Sequence, residues 1–262
     1  MSSSSTELES PQSGPVSVEP HFDVTFYVPC LNEEDNVGPT LRDLAEVVSR
    51  LGLRAEILVY DDGSTDGTAQ VVEETRRRLL QEHPDLRLEL IGLPKSRGLG
   101  ANFFAGAARG TGRSYMLVNG DHSERGEALE AVLSSLGKAD LVITYFDTGD
   151  VRGPLRRGIS RLFTLLVNAS NGHRLRYYNG PTLHPREDVV TLGTDCHGFA
   201  YQAELLTREL DAGRSFVEIP MINRDRASGS SKAFRPGNVI SVLRSLWRIR
   251  TRRFGTPDSL PS

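Results

Sequence analysis

A mostly parallel α/β sheet flanked by helices is the fold class this sequence predicts, on two observations. Strand-like apolar runs near residues 23–29, 54–60, 86–93, 114–119 and 139–145 alternate with helical patterns near 35–51, 67–82, 98–110 and 125–136, the order that builds strand–helix–strand crossovers. Three of these strands also empty into acidic, polar loops, at the edge where open α/β sheets bind nucleotides.

The first strand, Val24-Thr25-Phe26-Tyr27-Val28-Pro29, reads as buried, and Cys30-Leu31-Asn32-Glu33-Glu34-Asp35-Asn36-Val37 opens a helix. In that helix Val37, Leu41, Leu44, Val48 and Leu51 recur at three- and four-residue spacing, which buries one face. The second strand runs through Glu56-Ile57-Leu58-Val59-Tyr60 into Asp61-Asp62-Gly63-Ser64-Thr65-Asp66-Gly67-Thr68. Asp61 and Asp62 can accept from a base or ribose, Gly63 permits a tight turn, and Ser64 or Asp66 can cap the helix begun by Gly67-Thr68. Ser96-Arg97-Gly98-Leu99-Gly100-Ala101-Asn102 then precedes a helix with Ala105, Gly106, Ala107 and Ala108, whose small side chains let it approach sheet or nucleotide. The fourth strand, Ser114-Tyr115-Met116-Leu117-Val118, ends in Asn119-Gly120-Asp121-His122-Ser123-Glu124.

After Asp147 the pattern changes to a basic amphipathic helix near 154–169, an irregular stretch through Pro185, a helix near 199–213, a strand near 215–222, a basic loop and a last helix. The first of these helices sets Arg157 and Arg161 four residues apart beside an apolar stripe of Ile159, Leu162, Phe163 and Leu166, a pattern that can lie in a membrane interface. The last helix, from Asn238 to about Phe254, carries Val239, Val242, Leu243, Leu246 and Ile249 on one side, with Arg244, Arg248, Arg250, Arg252 and Arg253 supplying charge. Trp247 suits headgroup depth, although core packing or a partner subunit uses such a helix equally well.

The 262 residues suit one large domain, assigned here to 21–254, with Ser-, Glu- and Pro-rich residues 1–20 and residues 255–262 read as disordered tails. A net charge of -3 carries no nucleic-acid signature. Only Cys30 and Cys196 occur, so no disulfide framework is implied and a reducing cytosol fits. No window approaches the roughly 20 apolar residues that span a bilayer, and residues 1–20 lack the apolar core of a signal peptide. The expected location is cytoplasmic, peripheral at the membrane face.

With both nucleotide turns in view, the chain resembles the family-2 glycosyltransferases of the GT-A (Rossmann-like) fold, through Pro29, Asn32 and Glu33 of a Pro-x-x-Asn-Glu turn and Asp61, Asp62, Gly63, Ser64 and Asp66 of an Asp-Asp-Gly-Ser-x-Asp turn. The resemblance extends over about residues 22 to 250, and within it the polyprenyl-phosphate (dolichyl-type) transferases share an Arg-x-x-Ser-Arg segment, here Arg157 to Arg161, and an Arg-x-x-Gly-x-Ser-Lys loop, here with Arg224 or Arg226, Ser231 and Lys232. It implies an inverting transfer of a hexose from a GDP-mannose or UDP-glucose type of donor to a polyprenyl phosphate. Residues 21–147 would hold the nucleotide sugar and 148–254 the acceptor. Pro29, Asn32, Glu33, Asp61 and Asp62 would hold the nucleoside, Arg157 and Arg161 the lipid phosphate, and the 224–232 loop a phosphate group of donor or acceptor. The family's Asp-x-Asp metal motif stands here as Asn119-Gly120-Asp121. Asp121 is then the principal ligand for Mg²⁺ or Mn²⁺, with Asn119, Ser123 or Glu124 as weaker candidates, because hard cations take oxygen donors.

Two departures keep other readings open. Tyr177-Tyr178-Asn179-Gly180 replaces an Asp-x-x-Ser-Gly segment, which suits a soluble acceptor whose hydroxyl needs a base, and Asp195, beside His197, is the candidate. Asn119 in place of an acid also suits a non-catalytic nucleotide-sugar subunit. The lack of a spanning segment leaves room for a separate membrane-anchoring subunit.

Overall fold

The computed structural model describes residues 22–146, 153–193, 198, 200–221 and 244–251. Its elements run β1 (Phe22–Cys30), α1 (Val37–Arg50), β2 (Ala55–Asp61), α2 (Thr68–Glu82), β3 (Arg87–Gly92), α3 (Leu99–Arg109), β4 (Gly112–Leu117), α4 (Gly126–Leu133), β5 (Leu141–Phe146), α5 (Pro154–Asn171), β6 (Thr182–Pro185), α6 (Arg186–Thr191), α7 (Tyr201–Asp211) and β7 (Phe216–Met221). The seven strands make one sheet in the order β3-β2-β1-β4-β6-β5-β7. All pairs are parallel except those of β6, which lies antiparallel between β4 and β5.

The alternation of the strands decides which helices they carry. Phe26, Val28, Ile57, Val59, Met116 and Val118 join the apolar cluster that includes α1, α2 and α4 side chains. Their neighbours Tyr27, Leu58, Tyr60 and Tyr115 face the other way, onto Phe103 of α3, Val189 of α6 and Leu205 of α7. A sheet covered on both faces buries its strands throughout, as in β2, where all seven residues are buried and Glu56 is paired with Thr25, Thr111 and Arg87. From β1 the chain builds β2 and β3 on one side, then crosses back to place β4 on the other. The C-terminal ends of β2, β1 and β4 therefore sit together at a topological switch point.

The stretch through Pro185, irregular by its sequence pattern, contains β6, and α6 follows directly. Four residues with a histidine at the centre carry no strand periodicity. What holds β6 is tertiary: His184 Nδ1 lies 2.9 Å from both carboxylate oxygens of Glu209 on α7, and both residues are buried. Burial pushes the Glu209 carboxyl up, while the facing His184 pulls it down.

On α5 the apolar residues divide between two faces. Leu155, Ile159, Leu162, Leu165 and Leu166 are exposed, whereas Val167 is buried and Phe163 turns inward against two core clusters. Phe163 thus leaves the outward stripe assigned to it from sequence, because at 100° per residue it lies on the Val167 side of the helix. Of the last helix, residues 244–251 are described and helical. Ile249 is buried there, Arg248 pairs with the buried Glu204 at 3.0 Å, and Trp247 is 68% exposed.

Removing one partner of the His184–Glu209 pair leaves the other buried and uncompensated. Glu209→Ala should lose about 3–5 kcal/mol in urea unfolding, whereas the apolar pair H184L/E209M should recover most of it.

Candidate active site at the sheet switch point

Three loops meet above the ends of β2, β1 and β4. Register alone pairs Cys30 with Asp61 across β1 and β2. Beyond β4 the chain keeps to the side of β1: Val118 N–H donates to Tyr27 O at 3.0 Å and Gly120 N–H to Pro29 O at 3.2 Å. A Cβ at Gly120 would stand 2.6 Å from Cys30 Sγ and 2.9 Å from Pro29 O, so only glycine lets the 119–121 turn lie this close to β1. The Cys30 thiol registers the convergence, being pushed up by burial and then by the carboxylates of Glu33, Asp61, Asp121 and Asp66.

The loop after β1 is laced to the loop after β2. Asn32 N–H donates to Ser64 Oγ at 3.0 Å, Thr65 N–H to Asn32 Oδ1 at 2.9 Å, and Glu33 N–H to Thr68 Oγ1 at 2.8 Å. Glu33 Oε2 accepts from Asn36 Nδ2 at 2.9 Å. The N-cap position of α2 is Gly67, without a side-chain cap; Asp66, one of the two capping candidates, accepts from the N–H of Thr68, the first residue of α2, at 3.0 Å, while Ser64 serves Asn32. Gly63 supplies the turn at φ +89°, and Asn32 itself takes a left-handed φ of 59°.

The two adjacent acids divide their labour. Asp61 accepts from Ser64 N–H at 2.8 Å. Asp62 accepts from Ser96 Oγ (2.5 Å), Arg97 N–H (2.8 Å), Gly98 N–H (3.2 Å) and Asn102 Nδ2 (2.8 Å). Burial would raise the Asp62 carboxyl, but these donors prevail and hold it below the ordinary carboxylate range. Asp62 thereby fixes the 96–102 loop at the rim of the crevice. The small residues of that loop were legible in sequence, but its role as a cradle for one carboxylate was not.

In the third loop the positions differ sharply. Asp121 is buried, and its Oδ1 accepts from Ser123 N–H at 3.1 Å. Glu124, also buried, accepts from Asn119 N–H, Asn119 Nδ2 and Ser123 Oγ, each at 2.9 Å. Burial raises the Glu124 carboxyl, the Asn119 side chain lowers it, and the Asp121 charge raises it again. Behind this loop Thr40 Oγ1 donates to Gly120 O at 3.3 Å. Asp43 on α1 accepts from Gly126 N–H at 2.9 Å and faces His122 Nε2 at 3.0 Å, with His122 at φ 55°. Nothing in the sequence marks Thr40 or Asp43, which sit mid-helix among ordinary polar positions.

The oxygen donors fit a hard divalent cation: the Asp121 carboxylate, the Ser123 hydroxyl and the Asn119 carbonyl, whose amide nitrogen is committed to Glu124. They are few. Among the described residues no group of three or more His, Cys, Asp and Glu is placed to hold a metal. The rest of a coordination shell would have to come from a ligand.

Of the other candidates, Arg157 and Arg161 lie exposed on α5. Asp195, His197, Arg224, Arg226, Ser231 and Lys232 lie outside the described residues.

The profile of glycosyl transferase family 2 matches residues 25–202. The polyprenol monophosphomannose synthase of Mycolicibacterium smegmatis is 29% identical in an alignment 259 positions long that covers 91% of each chain. An undecaprenyl-phosphate 4-deoxy-4-formamido-L-arabinose transferase from Edwardsiella ictaluri is 23% identical over 209 residues, 80% of this chain and 62% of that relative. A mannosyltransferase of Pyrobaculum calidifontis, solved with GDP-Man and Mn²⁺, superposes with a TM-score of 0.60 at 20% identity over 90% of this chain and 68% of its own. A glucosyl-3-phosphoglycerate synthase of Mycobacterium tuberculosis, solved with Mn²⁺, UDP-glucose and phosphoglyceric acid, gives a TM-score of 0.62 at 18% identity over 91% of this chain and 82% of its own. These structures share the GT-A fold with this chain.

Because the Asp62 carboxyl is lowered in the folded state, its stabilisation is complete above about pH 4 and is lost as pH falls below that. Asp62→Asn should melt several degrees below wild type at pH 7, measured by calorimetry, with the gap constant down to pH 5 and closing in stronger acid. Gly120→Ala should weaken binding of GDP or UDP at least about tenfold by titration calorimetry, since the β4 turn must move off β1.

Proposed function

The chain belongs to glycosyl transferase family 2, and on that premise we propose that it transfers a hexose, with inversion, from a nucleoside diphosphate sugar to a polyprenyl phosphate at the cytoplasmic face of a membrane. The observation that carries the acceptor is α5, which turns Leu155, Ile159, Leu162, Leu165 and Leu166 outward along the same helix as exposed Arg157 and Arg161. An exposed apolar stripe with guanidiniums on its flank suits a helix lying at a lipid surface with phosphates in reach. No helix among the described residues is long and apolar enough to cross a membrane, so attachment in this reading is peripheral.

In the reaction the acceptor phosphate is already an anion. One of its oxygens attacks the anomeric carbon, the bond from that carbon to the diphosphate oxygen breaks, and the electron pair leaves with the nucleoside diphosphate. No proton has to be removed, so positioning and charge neutralisation carry the rate. Pro29, Asn32, Glu33 and Asp61 would seat the nucleoside, while Asp62 works through the 96–102 loop it holds. Asp121, with Asn119 and Ser123, would hold Mg²⁺ or Mn²⁺. When bound, such an ion supplies Lewis-acid neutralisation of the charge that gathers on the departing diphosphate. Arg157 and Arg161 would orient the lipid phosphate, and Arg224, Arg226, Ser231 and Lys232 would add donors to phosphate groups. Asp195 has no role on this route and would act as a base only toward a hydroxyl acceptor.

Transfer of labelled mannose from GDP-mannose, or glucose from UDP-glucose, to a polyprenyl phosphate in vesicles tests the reading. Arg161→Ala should lose roughly tenfold to a hundredfold in kcat/KM for the lipid with the donor KM unchanged. A fully active Arg161→Ala beside a dead Asp195→Asn would instead indicate a hydroxyl acceptor. Turnover with no acceptor at all, despite tight nucleotide-sugar binding, would indicate a binding subunit. The double variant L162D/L166D should sediment less with anionic vesicles while binding nucleotide as wild type does.

A further inference from the structure

The loop between β4 and α4 contains a buried carboxylate whose hydrogen bonds run to its own loop. Glu124 is buried and spends both oxygens on its own loop, accepting from Asn119 N–H, Asn119 Nδ2 and Ser123 Oγ. An ionised carboxylate only accepts hydrogen bonds, so the group that faces it from position 119 has to be a donor. Asn provides that donor and Asp does not. The geometry fixes the amide as well: with Nδ2 on Glu124, Oδ1 is turned to the opposite side of the Asn119 side chain.

We propose that Glu124 is a positioning residue that requires Asn at 119 and directs the Asn119 carbonyl into the crevice, so that the loop keeps one negative charge behind the ligand position instead of at it. The inference deepens the reading of the crevice as a cation and diphosphate site and rests on it. It follows that this loop presents one carboxylate, Asp121, to a divalent cation. Mn²⁺ alone then binds weakly, and binds firmly once a nucleoside diphosphate completes its oxygen shell.

Exchanging the two side chains tests both halves. N119D sets two carboxylates against each other, whereas in E124Q the Asn119 amide can turn over, so that its Oδ1 accepts from the new amide and its Nδ2 takes the place of Oδ1 toward the crevice. N119D/E124Q restores a donor facing an acceptor, because the amide nitrogen then at position 124 can donate to the carboxylate then at position 119, while the amide oxygen accepts from the 119 N–H. It also moves the charge to the ligand position. In metal-free buffer N119D should melt about 5 °C or more below wild type, and both E124Q and the double variant within about 2 °C of it. Mn²⁺ titrated by electron paramagnetic resonance without nucleotide should bind the double variant about tenfold more tightly than wild type. Addition of GDP or UDP should bring wild type to firm binding.

A double variant that melts as low as N119D would overturn the pairing. A stable double variant with no gain in Mn²⁺ affinity would overturn the displaced charge. Wild type that binds no Mn²⁺ even with GDP or UDP present would overturn the cation reading itself, while the melting cycle decides the pairing independently.

Discussion

The site depends on one close approach. Gly120 N–H reaches Pro29 O at 3.2 Å in a space that a single methyl group would fill. This contact carries the turn after β4 against the end of β1, and β1 is already in register with β2 through Cys30 and Asp61. The three acidic loops converge because the chain order places β1 between β2 and β4, and because glycine at 120 leaves room for the convergence.

Convergence brings negative charge together, and the structure distributes it. Asp62 is surrounded by four donors of the 96–102 loop, and Glu124 by donors of its own loop. Asp66 accepts from the Thr68 N–H at the start of α2. Each of these acids organises backbone, so the carboxylates left to serve a ligand are fewer than the sequence lists. In the proposed reading, the acids that look alike along the chain divide into scaffold and ligand groups.

Much of this was legible beforehand because it is local or periodic. The 3.6-residue stripe of α1, the apolar runs of β1, β2 and β4 and the motif from Asp61 to Thr68 each announce an element and where it ends. What escaped is tertiary. β6 is held by a histidine–glutamate pair 25 residues apart, which no short window can register. Thr40 and Asp43 matter only because α1 packs behind the 119–126 loop, and Glu124, a candidate ligand by sequence, is instead held by Asn119 and Ser123 of its own loop. Phe163 was assigned to the wrong face of α5 because a stripe read from sequence does not reveal which arc the core covers. The same helix shows the converse: Leu155 and Leu165 join the outward apolar face that the sequence reading had built from Ile159, Leu162 and Leu166.

The central claim is that the ends of β2, β1 and β4 form one crevice that grips a diphosphate together with a divalent cation. The most direct measurement is the anomalous scattering of Mn²⁺ in crystals grown with GDP or UDP. The account predicts one Mn²⁺ peak within coordination distance of Asp121 and of the diphosphate oxygens, with the nucleoside lying toward Asp61. A diphosphate and Mn²⁺ bound elsewhere, with Asp61 and Asp121 touching neither, would contradict it.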